Sequence, residues 1–227
     1  MLDFRSIKKF KNIHVDDICV IVGTGPSLNK TDLNFINKFK TFGINNGYKL
    51  KNIDYDYFCV IDEIVWENHE EKIFKNLKDK TKLFITDNCK TKKKLNKKPY
   101  ILKKLNFLTS DSLINPEIGI YKTNTVIGMC LQIAYYMGFK NIILIGCDCF
   151  YDNFGNHHFD GSKVDNFFRK DWTDVFEFYK IIKEKMQDVF VCNCTEGGFL
   201  EVFPRMDFKI WRKYENDIIL KIKNNTI

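Results

Sequence analysis

Residues 19–36, Cys19-Val20-Ile21-Val22-Gly23-Thr24-Gly25-Pro26-Ser27 followed by Leu28-Asn29-Lys30-Thr31-Asp32-Leu33-Asn34-Phe35-Ile36, decide how this chain folds. An apolar run passes at once into two glycines, a proline and a serine, and then into a segment that reads as a helix start. That is the pattern of a buried strand, a tight turn and a helix. Working outward, 41–45, 56–62, 82–86, 141–146 and 188–193 read as further short strands. Helical segments separate most of them, which implies parallel pairing, because parallel strands need long crossovers. Residues 126–137 are apolar nearly all round and predict a buried helix stopped by Gly138. Aromatic and aliphatic residues at helical spacing predict another helix over 171–186. The segment 208–227 predicts a C-terminal amphipathic helix or arm.

The expected fold is therefore α/β, a mostly parallel twisted sheet with helices on both faces, in a single domain spanning 1–227. Residues 88–122, with Lys92-Lys93-Lys94, Lys97-Lys98 and Lys103-Lys104, are expected to form an irregular lysine-rich excursion. Composition agrees with a packed protein. Of 227 residues 44% are hydrophobic, including 21 Phe, 10 Tyr and 3 Trp. Disorder would require low hydrophobicity with high net charge, whereas 36 Lys+Arg against 29 Asp+Glu leaves only +7. No nucleic-acid partner is expected. The longest apolar run, 126–139, is too short to cross a bilayer. The opening MLDFRSIKKFKNIHVDD lacks the apolar core of a secretory signal, so the expected location is the cytoplasm, with contact at the inner face of the membrane left open. A homo-oligomer is also left open.

Eight cysteines in such a chain read as free thiols. Cys147/Cys149 and Cys192/Cys194 are both Cys-x-Cys, and four such sulfurs offer zinc an alternative, but the spacing favours buried strand cysteines. In open parallel sheets ligands lie beyond the carboxyl ends of the strands. Four polar clusters fall there: 23–27, Asn45-Asn46, Asp62 and Asp148. Gly23, Thr24, Gly25, Pro26 and Ser27 let bare backbone approach a phosphate, and Ser27 either caps the helix or donates to a phosphoryl oxygen. The turn is neither a Walker loop nor a Gly-x-Gly-x-x-Gly fingerprint, which disfavours both ATP bound in P-loop fashion and NAD. Asn45 suits a base or ribose edge, and Asn46 an Asn-Gly turn with left-handed geometry.

Asp54-Tyr55-Asp56 spells Asp-x-Asp but precedes its strand, so no metal is expected through it and no cofactor is expected at all. Asn156-His157-His158-Phe159-Asp160 is the one histidine cluster, where His158 serves better as a general base than as a metal ligand. His14 and His69 are isolated and expected at the surface. Glu201 and Arg205 either approach the crevice or form a surface ion pair.

Five spaced blocks, 21–28, 42–45, 126–148, 156–159 and 193–205, resemble in order the bacterial MptE-like group encoded with surface-polysaccharide genes. One relative of that group is the family 42 sialyltransferases, which use CMP-sialic acid without a metal. They share a glycine turn with Pro-Ser-Leu, a strand ending in Asn, a buried Met-Cys helix, a Gly-x-Asp-Phe-Tyr strand end and a later His base. The resemblance implies a Rossmann-like fold of the glycosyltransferase-A kind and a glycosyltransferase acting on a glycan or glycolipid hydroxyl. It implies that Gly23, Gly25, Pro26 and Ser27 meet the nucleotide, that Asn45 binds cytidine or ribose and that Thr125 lies near the donor; Thr24, Asp62 and Asp148, at the same strand ends, are counted with them as nucleotide-binding candidates. On the same ground His158, or its neighbour His157, deprotonates the acceptor; Asn124, Tyr151, Asn156, Glu201 and Arg205 are counted as substrate-binding candidates. Thr24 replaces the family's turn Asn, Asn124-Thr125-Val126 replaces Thr-Ser-Gly, and the His-Ser-Lys motif has only His158 and Ser162-Lys163 in its region. The other relative is the archaeal 6-hydroxymethylpterin diphosphokinase, whose His-Gly-Asp-Asn signature is missing here. A non-catalytic nucleotide-binding module is the remaining alternative.

Overall fold

In a computed structural model the described residues are 5–15, 17–91, 98–105, 115–121, 125–150, 158–162 and 172–223. Strand β1, Ile18–Val22, sits between β2 (Lys40–Ile44) and β8 (Asn141–Ile145). Beyond β2 come β3 (Tyr57–Val60), β4 (Lys82–Thr86) and β5 (Tyr100–Leu102), and beyond β8 comes β9 (Phe190–Asn193). All six pairings of this seven-stranded sheet are parallel. Short strands β6 (Lys104–Leu105) and β7 (Ile120–Tyr121) form a separate parallel pair. The chain leaves β1 to one side and returns to the other, so the strand order reverses between β1 and β8, where open sheets form a crevice beyond their carboxyl ends. This is a Rossmann-like α/β fold.

Alternation along β1 shows how two cores arise from one strand. Cys19 and Ile21 belong to the face covered by helices α2 (Val126–Tyr136) and α3 (Thr173–Lys185), while Val20 and Val22 belong to the face covered by α1 (Glu63–Asn76) and α4 (Phe208–Lys223). Helix α2 is buried along almost its whole length, and it ends as expected with Gly138 in the left-handed region at φ 93°. Trp211 of α4 is buried against Phe35, Phe39 and Phe208. Arg212 pairs with Asp32 and Lys38 with Glu215, and α4 bends at Tyr214.

The structure corrects four expectations. The segment after the glycine turn is not one helix but two 3-10 turns, Pro26–Lys30 and Leu33–Lys38, broken at extended Thr31 and Asp32. Asp32 turns its carboxylate onto the Asn34 N–H, a local bond that competes with helix continuation. The 88–122 region is not wholly irregular, since Tyr100, Ile101 and Leu102 pair with Phe84, Ile85 and Thr86 and it also holds β6 and β7. Lysines on either side hide that short apolar run. His14 is not at the surface: it stacks on Phe139 at 4.4 Å and bonds to Asp17 and Tyr57. His69 is half-buried, its Nδ1 3.0 Å from the Tyr48 hydroxyl.

Candidate functional site

The crevice is built on two glycine contacts. Gly23 N–H donates to the Ile145 carbonyl at 2.8 Å, and a Cβ at Gly23 would lie 2.1 Å from the Gly146 carbonyl oxygen. The ends of β1 and β8 therefore touch backbone to backbone. A Cβ at Gly25 would lie 1.8 Å from the Asp148 carboxylate. Asp148 uses that space to reach Ser27, accepting from its N–H at 3.1 Å and its hydroxyl at 2.7 Å. Ser27 thus neither caps a helix with its own oxygen nor directs its hydroxyl outward; it fastens the carboxylate that follows β8.

Asp148 is buried, and that burial lifts its carboxyl above the ordinary range, partly offset by the Ser27 bonds and the Arg205 charge. Its carbonyl also accepts from Phe199 N–H at 2.9 Å, which brings the loop after β9 over the crevice. Arg205 organises that loop by donating to the carbonyls of Thr195 at 2.7 Å and Leu200 at 3.4 Å, and it pairs with Glu201 at 3.2 Å. The ion-pair reading of Glu201 and Arg205 therefore holds. Glu201 also lines, with Phe176, Phe199 and Val202, a cleft of about 850 Å³ beside α3.

At the end of β2 the left-handed residue is Asn45, at φ 41°, rather than the Asn46-Gly47 pair expected to supply that geometry. Gly47 is needed for closeness instead, with the Tyr55 hydroxyl donating to its carbonyl at 3.1 Å. The side-chain oxygens of Asn45 and Asn46 are both buried without a hydrogen-bond partner. An orphaned buried acceptor costs about 1–3 kcal/mol, and strained backbone gathers where a ligand is to be met. Asp62 caps α1, accepting from Ile64 N–H at 2.9 Å and Val65 N–H at 3.2 Å. Thr125 caps α2 through Gly128 N–H at 3.3 Å and meets the buried Tyr179 hydroxyl at 2.6 Å.

His158 comes to the glycine turn from 134 positions away: its Nδ1 lies 3.0 Å from Thr24 Oγ1. Three further contacts seat the same segment. Phe159 N–H donates to the Thr24 carbonyl at 2.8 Å, the Asn29 amide donates to the Phe159 carbonyl at 3.0 Å, and Asp160 pairs with Lys49. Burial alone would raise the Asp160 carboxyl, but bonds from Lys49 and Ser162 outweigh it and hold it at about 2. The segment 158–162 thus spans the ends of β1 and β2. Asn124, Tyr151, Asn156 and His157 lie outside the described residues.

Asn29 and Lys49 were missed as parts of this site and carried no sequence signal, whereas Phe159 and Asp160 stood in the quoted histidine cluster without being given a role. The Asp-x-Asp residues are engaged at the opposite edge. Asp56 accepts from Thr41 N–H at 3.1 Å and pairs with Lys40, and Asp54 pairs with Lys78. Cys147 and Cys149 belong to one core and Cys192 and Cys194 to the other, so these four thiols do not converge on a metal. Among the described residues no cluster of His, Cys, Asp and Glu is gathered to hold a metal ion.

Residues 1–154 match the family described as MptE-like, 6-hydroxymethylpterin diphosphokinase MptE-like. No curated protein matches the sequence. Among solved structures, the MAf glycosyltransferase from Magnetospirillum magneticum AMB-1 aligns with a TM-score of 0.56 at 15% identity over 94% of this chain, which spans 40% of that protein. The sialyltransferase CstII from Campylobacter jejuni, solved with the substrate analogue cytidine-5'-monophosphate, aligns with a TM-score of 0.54 at 15% identity over 85% of each chain. Both likenesses are of fold.

Proposed function

The chain belongs to the MptE-like family, and from its crevice and the fold it shares with two glycosyltransferases we propose that it is a glycosyltransferase. It would move a sugar, of the sialic-acid-like nonulosonic class, from a CMP-activated donor to a hydroxyl of a surface glycan or glycolipid. The observation that carries the reading is the seating of His158 on Thr24 at the end of β1, beside the unpartnered Asn45 oxygen at the end of β2. A titratable base and an unsatisfied acceptor suited to a ribose hydroxyl or a base amine then stand at the ends of two adjacent strands. Two solved glycosyltransferases with this fold support the class of reaction.

In the proposed step the acceptor oxygen bonds to the anomeric carbon of the donor as the bond from that carbon to the phosphate oxygen breaks. CMP leaves with the bonding pair, and the acceptor proton passes to His158. For Nε2 to take it, Nδ1 must carry its hydrogen, and in that tautomer Nδ1 donates to Thr24 Oγ1, which orients the ring. Gly23 and Gly25 let the Gly146 carbonyl and the Asp148 carboxylate close against the turn, and Ser27 and Asp148 hold it in shape beside the donor. The acceptor is assigned to the cleft by Glu201, Phe176 and Phe199, which is linked to the crevice by the Phe199 N–H on the Asp148 carbonyl. CMP needs less help in leaving than a nucleoside diphosphate, so the reaction proceeds without a metal.

The test is transfer or slow donor hydrolysis with a CMP-activated nonulosonic acid. His158→Ala should lower turnover by about 100-fold or more, the usual worth of a general base, while donor affinity stays unchanged. Undiminished turnover in that variant would remove the base from His158. A second reading, diphosphate transfer from ATP to a hydroxymethylpterin, rests on the family match itself. It predicts magnesium-dependent ATP turnover instead.

A further inference from the structure

Far from the crevice, at the amino-terminal end of the sheet, the segment 5–15 folds over the C-terminus of α2. Asn12 N–H donates to the Tyr136 carbonyl at 3.1 Å and His14 N–H to the Met137 carbonyl at 2.9 Å. Arg5, Lys8, Lys9 and Lys11 are all exposed along this segment, and Lys8 reaches Glu117, which accepts from the Tyr136 hydroxyl. Arg5 and Lys9 stand over the Tyr100 ring at 5.8 and 5.0 Å, and with Ser6 and Lys8 they line a cleft of about 540 Å³.

Two described acidic groups by this segment are engaged. Glu117 meets Lys8 at 3.7 Å and the Tyr136 hydroxyl at 2.5 Å, and Asp17 meets His14 at 2.8 Å. Exposed aliphatics accompany the cations: Ile13 is 47% exposed, Val15 57%, and Ile118, next to Glu117, 48%.

We propose that this face, Arg5, Lys8, Lys9 and Lys11 with Ile13 and Val15, docks the protein on an anionic phospholipid membrane. The cations are attracted to phosphate headgroups, and the cleft beside Tyr100 receives one of them. A soluble polyanion would use the cations alone and would gain nothing from the aliphatic residues. A membrane uses both, because apolar side chains enter the boundary between headgroup and acyl chain while lysines remain in the headgroup layer. Among the described residues no helix is long and apolar enough to cross a membrane.

The test is flotation of the full chain with vesicles of phosphatidylcholine alone or with about one quarter phosphatidylglycerol. Binding should require phosphatidylglycerol and fall about tenfold or more in about 0.5 M NaCl, where charges are screened within a few ångströms. The triple substitution Lys8→Glu, Lys9→Glu, Lys11→Glu should abolish it. The double substitution Ile13→Ser, Val15→Ser should weaken vesicle binding several-fold while leaving retention on heparin unchanged, an outcome that a polyanion site would not give. Unaltered melting temperatures would show that both variants fold. Failure of the wild type to float, equal flotation of wild type and the lysine variant, or an Ile13→Ser, Val15→Ser variant that floats as well as the wild type would overturn the proposal.

Discussion

Asp148 shows how much of the crevice depends on single atoms. Its carboxylate occupies the space left by the missing side chain of Gly25, and Ser27 supplies both of its donors. Gly25→Ala should therefore cost about 1–3 kcal/mol, the usual range for overpacking, because the displaced carboxylate would lose Ser27 as well. Ser27→Ala should cost about 1–3 kcal/mol by leaving a buried acceptor short of a donor. The pH dependence has a definite sign. A buried acid whose folded pKa is raised stabilises the native state less as pH climbs from its unfolded value through the folded one. Losing the hydroxyl raises that folded pKa further, so Ser27→Ala should be more damaging near neutral pH than near pH 4. Equilibrium denaturation at the two pH values reads both predictions, and a cost that is larger in acid would contradict the assignment.

At the scale of elements, the central relation is between the glycine turn, the 3-10 turn Asn45–Lys49 and the segment 158–162. Lys49 and Asp160 tie the last to the second, and Thr24 and Asn29 tie it to the first. Because the folded Asp160 carboxyl titrates at about 2, its contribution is present above its unfolded value near 4 and is lost as pH falls towards 2. Lys49→Ala should speed hydrogen exchange across 158–162 while leaving the strands protected. Unchanged exchange there would show that Thr24 and Asn29 hold the segment without Lys49.

Much of this scale was legible in the sequence. The apolar runs ending in Gly23, Asn45 and Gly146, and the stop at Gly138, placed the strand ends and a helix end to within a few residues, because buried parallel strands and left-handed caps have strong local signatures. What was not legible depended on distant partners. His14 looks like any isolated histidine until Tyr57 and Phe139, 43 and 125 residues away, enclose it. Lys49 is one lysine among many until Asp160 meets it. The strand β5 is three residues long and flanked by lysines, so only pairing with β4 identifies it.

For the whole molecule, one sheet with two cores must bring the ends of β1, β2, β8 and β9 together before any chemistry is possible. Helix α4 closes one of those cores, with Trp211 against Phe35, Phe39 and Phe208. Trp211→Ala should cost about 3–5 kcal/mol, measured by chemical denaturation. A loss below about 1 kcal/mol would mean that α4 is not part of the cooperative unit.

The central claim is that the crevice at the reversal of strand order binds a cytidine nucleotide without metal. The most direct measurement is the melting temperature of the protein with CMP, CDP, UDP, GDP and ATP, each with magnesium and with EDTA, since a ligand bound only to the native state raises it. The account predicts stabilisation by CMP or CDP that survives EDTA. Stabilisation confined to ATP with magnesium would contradict it and favour diphosphate transfer.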